Sequence, residues 1–332
     1  PPMTILFEVF LLTLTVITAL AVVQARNLVV AVMLLGIFSL LLAINFFLLD
    51  AADVSLTEAA VGAGISTVLF LGALGLTSEY ESKRPGRRWL SLLVVASATM
   101  VVVYATFDKP RFGDPEAPVH QHIGPWYLQQ TEQSVDIPNA VTAVLGSFRG
   151  YDTLGEVFVV FTAGIGVLFL LSARRPRPAA GRRREPTGQQ IGLQDELLLG
   201  VAGRLLVPLI LLFGLYVQFH GEYGPGGGFQ AGALIAAGFI LFALVDGQQR
   251  ALDALPRRAL NALMVGGALL YGAVGVAGML MGSTFLDYSV LSQDPIAGQK
   301  LGIILIEAGV GMTVSGVLLN IFHAFAARDR IR

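Results

Sequence analysis

Nine stretches of roughly 20 mostly apolar residues fill most of this sequence, at about 3–24, 28–49, 55–76, 89–106, 153–172, 203–220, 226–245, 259–281 and 299–323. Each is long enough to cross the hydrocarbon core of a bilayer as a helix. Inside lipid a segment must satisfy its own backbone hydrogen bonds, which helices do. The expected fold is therefore all-α: a polytopic membrane protein of about nine transmembrane helices, with no soluble enzyme domain between them. Composition points the same way. Hydrophobic residues make up 55% of the chain and charged residues 14%, against about 25% charged in soluble domains. Mean hydropathy is +0.70. The opening PPMTILFEVF has no basic n-region and no small-residue cleavage site. It reads as the start of a first transmembrane helix, not as a signal peptide.

The basic residues predict an orientation. Arg26 lies in the first connection, and Lys83, Arg84, Arg87 and Arg88 in the third. The fifth holds Arg174, Arg175, Arg177, Arg182, Arg183 and Arg184, with Arg204 at the next helix entry. Arg250, Arg257 and Arg258 lie in the seventh, and Arg328, Arg330 and Arg332 in the tail. Only Lys109, Arg111, Arg149 and Lys300 of the 22 basic residues fall on the other side. Cytoplasmic loops are the ones enriched in Lys and Arg. The N-terminus is thus expected outside and the C-terminus in the cytoplasm.

Several functions are excluded early. A net charge of −1 gives nucleic acid no electrostatic footprint. The chain has no cysteine, so it forms no disulfide and holds no cysteine-ligated cluster. Of its four histidines, His120 and His122 form an H-x-H pair in the polar stretch 107–152, too few ligands for a metal site. No metal and no cofactor are expected.

A carboxylate inside a membrane costs about 2.5–3.5 kcal/mol on insertion scales, so it faces protein or water. Glu8, Glu58, Glu156 and Glu307 are the candidates. Glu58 precedes Gly62 and Gly64, small residues that let a neighbouring helix approach. It reads as an ion or proton site, or as an interfacial glutamate about one turn from the outer boundary. Glu156 has Asp152 four residues before it on one helical face, with Arg149 near enough to neutralise one of the two. Paired carboxylates of that kind suit a proton relay; the bland alternative is that Asp152 caps the helix. Glu307 is deepest, with Lys300 two turns earlier on the same face. The two read as a structural ion pair or as part of a charge path. His323, at the inner end of the last helix, is a possible cytoplasmic proton port.

The segment GEYGPGGGFQAGAL (221–234) is the most unusual. Pro225 cannot continue a helix, and Gly226, Gly227 and Gly228 free the backbone to turn before Phe229 resumes the apolar run. Free N–H groups at the start of the next helix could face an anionic group there, with His220 and Glu222 beside them. Phosphate binding is not expected between membrane spans.

Three motifs carry a family resemblance. TEAAVGAGISTVLFLGAL (57–74) resembles the domain in the C-terminal part of the large A-type polypeptide of Mrp-type sodium/proton antiporters, which also occurs as the small D-type component of membrane-bound hydrogenases. SFRGYDTLGE (147–156) resembles the E-type module that follows it, and HGEYGPGGGFQAG (220–232) resembles the hallmark of the B-type component of Mrp antiporters. The resemblance implies a fused accessory subunit related to hydrogenase and complex I membrane arms. It divides the chain into a D-type three-helix module (1–80), an E-type two-helix module (81–173, outer loop 107–152), a cytoplasmic Arg/Pro-rich linker (174–200) and a B-type four-helix module (201–332). It implies a role in sodium/proton antiport in a bacterial or archaeal cell membrane. Glu58 and Glu156 match the family's intramembrane acids, while Pro225–Phe229 is a structural or contact motif. The chain would need A-, C-, D-, E-, F- and G-type partner subunits. Membership of a hydrogenase or another redox- or bicarbonate-linked complex, and a scaffold with no transport role, are the alternatives.

Overall fold

The computed structural model describes residues 2–81, 88–111, 113–172 and 197–329. Nine helices among them are long and apolar enough to cross a membrane. In chain order these are α1 (Pro2–Gln24), α2 (Leu28–Leu48), α3 (Ala52–Leu74), α4 (Arg88–Thr106), α5 (Gly150–Ser172), α6 (Leu197–His220), α7 (Gly228–Asp246), α8 (Arg257–Leu280) and α9 (Pro295–Asp329). No strand forms among the described residues; one isolated bridge joins Asn27 to Tyr80. The expected all-α membrane fold is what the chain adopts. The arginine-rich stretch expected to be a linker lies almost wholly outside the described residues.

Helix ends follow local chemistry. The Asn27 side chain accepts hydrogen bonds from the N–H groups of Val29 and Val30 and caps α2. α3 is continuous but winds as a π-helix over Glu58–Ile65. Just before α5 the chain forms two short helical pieces, Ala140–Ala143 and a π turn at Val144–Phe148, entered through an Asn139 cap.

The core gathers around α9, which packs against α5, α7 and α8. Glycines set how closely. A Cβ at Gly267 of α8 would overlap the Gly309 carbonyl of α9, and one at Gly232 of α7 would come within 2.8 Å of the Gly311 carbonyl. Large side chains fill the space beside this seam: Tyr271, Tyr288, Ile303 and Ile306 are all buried. The two tyrosines also fix the start of α5. The Tyr271 hydroxyl donates to the Gly150 carbonyl at 2.7 Å and the Tyr288 hydroxyl to the Gly146 carbonyl at 3.0 Å. Burial raises the Tyr288 hydroxyl pKa, so it stays a neutral donor. α3 packs on α7 and, near its C-terminal end, on α9, and α1 packs on α2. By contrast, every residue from 89 to 106 in α4 is exposed.

Candidate functional site

The glycine-rich loop between α6 and α7 organises the site. Gly227 has φ +113, a conformation that L side chains rarely adopt. The Gly226 N–H donates to Asp53 Oδ1 at 3.3 Å, and the Gly228 N–H donates to Glu307 Oε2 at 3.0 Å. A Cβ at Gly228 would overlap the Glu307 carbonyl, and one at Gly226 would come within 2.6 Å of the Val217 carbonyl. The N-terminus of α7 therefore does face an anionic group, as the sequence suggested. The groups are two carboxylates of the chain itself. A positive helix end and a directed N–H are what an intramembrane carboxylate needs.

Asn139 holds the loop in place. Its side-chain N–H groups donate to the Gly221 carbonyl at 3.0 Å and the Gly224 carbonyl at 2.9 Å, and more distantly to Asp53 at 3.3 Å. Its Oδ1 meanwhile caps its own short helix. The Thr142 hydroxyl adds a bond to the Gly221 carbonyl at 2.6 Å. One asparagine so ties the start of α3, the segment before α5 and the α6–α7 loop.

Beneath the loop is a cavity of about 300 Å³. Asp53 from α3, Glu156 from α5 and Glu307 from α9 all line it. Thr57, Thr153 and Gln230 add neutral polar groups, and the Gln230 amide donates to the Thr57 hydroxyl at 2.8 Å. The rest of the wall is mainly apolar, with Val157, Phe229, Ile306 and Val310 among it. Three carboxylates with hydroxyl and amide oxygens in an apolar surround offer hard oxygen ligands to a small cation, and acceptors to a proton.

The other expected residues fall elsewhere. Glu58 opens the π turn and folds back over Gly62, where an added Cβ would meet both Glu58 Oε1 and Ser39 Oγ of α2. It faces α2 and is not part of the cavity lining. Asp152 does not pair with Glu156. Arg149 draws it away at 2.6 Å, and both side chains of that ion pair are more than half exposed. Lys300 does not pair with Glu307 either. Its ammonium reaches Asp136 at 2.9 Å. Asp136 sits in the left-handed region at φ 52, closing the turn at Thr131–Val135 and placing its carboxylate near the start of α9. A lysine near a helix end extends towards the interface, away from the membrane interior, and there it meets Asp136. His220 stacks on Tyr216 with ring centroids 4.8 Å apart, at the base of the loop and outside the cavity. His323 is buried near the other end of α9, with its Nδ1 3.5 Å from the Gln248 amide. Glu8 is half-buried in α1, and His120 and His122 are exposed in the turn Val119–Ile123.

Sequence reasoning missed Asp53, Asn139, Thr57 and Gln230. Asn139 carried a signal, since an Asn before an apolar run reads as a helix cap. Asp53 lay outside the expected third span, 55–76, and so was not among the membrane carboxylates considered.

Fold and cavity together define a multi-pass α-helical membrane protein with carboxylates gathered in its interior. Comparison with known proteins sharpens this class. Residues 198–320 match the family model described as a domain related to the MnhB subunit of Na+/H+ antiporter. Residues 13–79 match the family model for the D-type subunit of MBH, and residues 87–190 that for its E-type subunit. A putative antiporter subunit mnhB2 of Staphylococcus aureus (strain Newman) is 34% identical over 131 residues, covering 39% of this chain and 92% of the relative. A probable K(+)/H(+) antiporter A/B-type subunit of Rhizobium meliloti (strain 1021) is 26% identical over 325 residues, 89% of this chain but 32% of the relative. A chain in the structure of the Mrp complex from Dietzia sp. DQ12-45-1b superposes with a TM-score of 0.75 at 27% identity, covering 95% of this chain and 34% of that one. The chain therefore spans about a third of the length of these two larger relatives. A chain of the membrane-bound sulfane sulfur reductase, an archaeal respiratory membrane complex, matches with a TM-score of 0.51 at 28% identity, covering 71% of this chain and 98% of that one. The chain belongs to the MnhB-related family of antiporter subunits, preceded by segments of the MBH D and E types, and is a multi-pass protein of a prokaryotic cell membrane.

Proposed function

We propose that this chain is a non-redox membrane subunit of a multisubunit cation/proton antiporter, in which the cavity beneath the glycine loop takes part in cation and proton passage. The observation that carries this reading is the convergence of Asp53, Glu156 and Glu307, from three separate helices, on one cavity. The modules divide as 1–80, 81–173 and 201–332, with 174–200 joining the last two; the family-model matches at 13–79, 87–190 and 198–320 support this order of modules, the second of them running on into 174–200. Other antiporter subunits surround the chain, in keeping with the Mrp complex it resembles. The N-terminus lies outside and the C-terminus in the cytoplasm, on the distribution of Lys and Arg. The cation is Na+ or K+, since relatives are described with each. Glu58 serves the same passage from the α2 side, and His323 with Gln248 offers a polar group near the cytoplasmic end.

Everted vesicles carrying the chain with its partner subunits test the reading. A pulse of Na+ or K+ should collapse an imposed pH gradient, and Glu156→Gln should abolish that response while the complex still assembles. Full activity in the variant would remove Glu156 from the passage.

A second reading rests on the coverage of the sulfane sulfur reductase chain, 98% of which is spanned here. The same modules would then serve a redox-driven complex. Gentle purification decides between the two: iron–sulfur subunits would copurify in the second case and only membrane subunits in the first.

A further inference from the structure

Glu307 lines two cavities. The larger one holds Asp53 and Glu156. The smaller, of about 100 Å³, is lined by Gln218, Phe219, Glu222, Ile303, Ile304 and Ala308 as well as Glu307. Within it Glu222 is unusual. Its Oε1 is buried and has no hydrogen-bond partner. Native proteins rarely leave a buried carboxylate oxygen unpartnered, so this one calls for a proton or a water. The smaller cavity has room for several waters.

We propose that the two cavities bring different ions to one carboxylate: Glu222 takes a proton from the aqueous face and passes it through the smaller cavity to Glu307, while the cation arrives from the larger. The proton binds a Glu222 oxygen, leaves to cavity water, and is taken by the Glu307 carboxylate. Glu222 returns to its ionised form, and a cation held at Glu307 is released. This inference rests on the antiport reading.

The surroundings fit. Glu307 and Lys300 lie on α9, with Asp136 bonded to Lys300; His220 and Tyr223 flank Glu222 at the end of α6 and in the loop. Burial pushes the Glu222 carboxyl above the usual carboxylate range, and the nearby Lys300 opposes it. Such a group binds a proton nearer to neutral pH than a free glutamate does.

Antiport measured in everted vesicles across a pH series, with Na+ and K+ each titrated at every pH, tests the division. Glu222→Gln should displace the pH profile by about one unit while the apparent cation KM changes by less than about twofold. Glu222→Asp should restore the wild-type profile. Gln218→Leu narrows the same cavity without changing charge and should displace the profile likewise; it decides the matter if Glu222→Gln does not assemble. A wild-type profile in Glu222→Gln, or a changed cation KM with an unmoved profile, overturns the proposal. Wild-type vesicles with no cation-driven pH change sink the antiport reading and this inference together. A Glu156→Gln loss beside an unmoved Glu222→Gln profile sinks the inference alone.

Discussion

At the scale of single residues, the site depends on groups whose neighbours are distant in sequence. Asn139 is the clearest. Its Oδ1 is used by its own helix cap, and its amide N–H groups reach loop carbonyls more than 80 residues away. Asn139→Ala removes the cap, takes the side-chain donor from the Gly224 carbonyl and leaves the Gly221 carbonyl with Thr142 alone. The expected loss is about 2–3 kcal/mol, read as a lower melting temperature of the purified complex. Asn139→Asp should be worse, because it sets a second carboxylate against Asp53. Gly227→Ala forces a side chain into φ +113 and brings its Cβ to 2.9 Å from Glu307 Oε2. It should cost about 1–3 kcal/mol in backbone strain and disturb the carboxylate as well, so antiport should fall more than complex abundance does. Lys300 and Asp152 both turn away from a glutamate, Asp152 to the Arg149 that the sequence had already set beside it. Helical spacing put each near a glutamate, but spacing says only which residues share a face. Asp136 and Arg149 were closer partners, and opposite charges at an exposed end pair with whatever is nearest.

At the scale of elements, α9 is the axis of the molecule, and glycine contacts decide what can lie against it. Gly267→Val in α8 should prevent the close approach to Gly309 and strip the complex from the membrane, as quantitative blotting would show. Gly272→Ala, on the same helix with no atom within 4 Å of the added Cβ, should leave abundance unchanged. Nine spans were legible because each is a long apolar run. Their ends were less so. The third helix begins at Ala52, three residues before the expected start, so that Asp53 falls inside its first turn. The last runs Pro295–Asp329, well past the expected 299–323, because a helix does not have to stop where the apolar run does. The π turn at Glu58–Ile65 left no signature in composition. It rotates α3 locally, a deformation common at functional sites.

At the scale of the whole molecule, α4 and the sidedness matter most. Every side chain of 89–106 is exposed, so in a bilayer this helix contacts lipid or a neighbouring protein. The absence of cysteine makes the proposed orientation simple to check. A cysteine at exposed Gln133 should react with a membrane-impermeant maleimide in intact cells. One at exposed Gln249 should react only in everted vesicles.

By itself the sequence determined that this is an all-α membrane protein, where its spans lie, and which family it resembles. Apolar runs, charge asymmetry and glycine motifs are local properties, and lipid leaves the backbone few alternatives to a helix. Only the tertiary structure decided which acids meet. Asp53, Glu156 and Glu307 are more than 100 residues apart in sequence, and the glycine loop and Asn139 close over Asp53, which lay outside the expected spans. Which carboxylates share a cavity depends on helix rotation and close approach, and those are set by partners that no local pattern names.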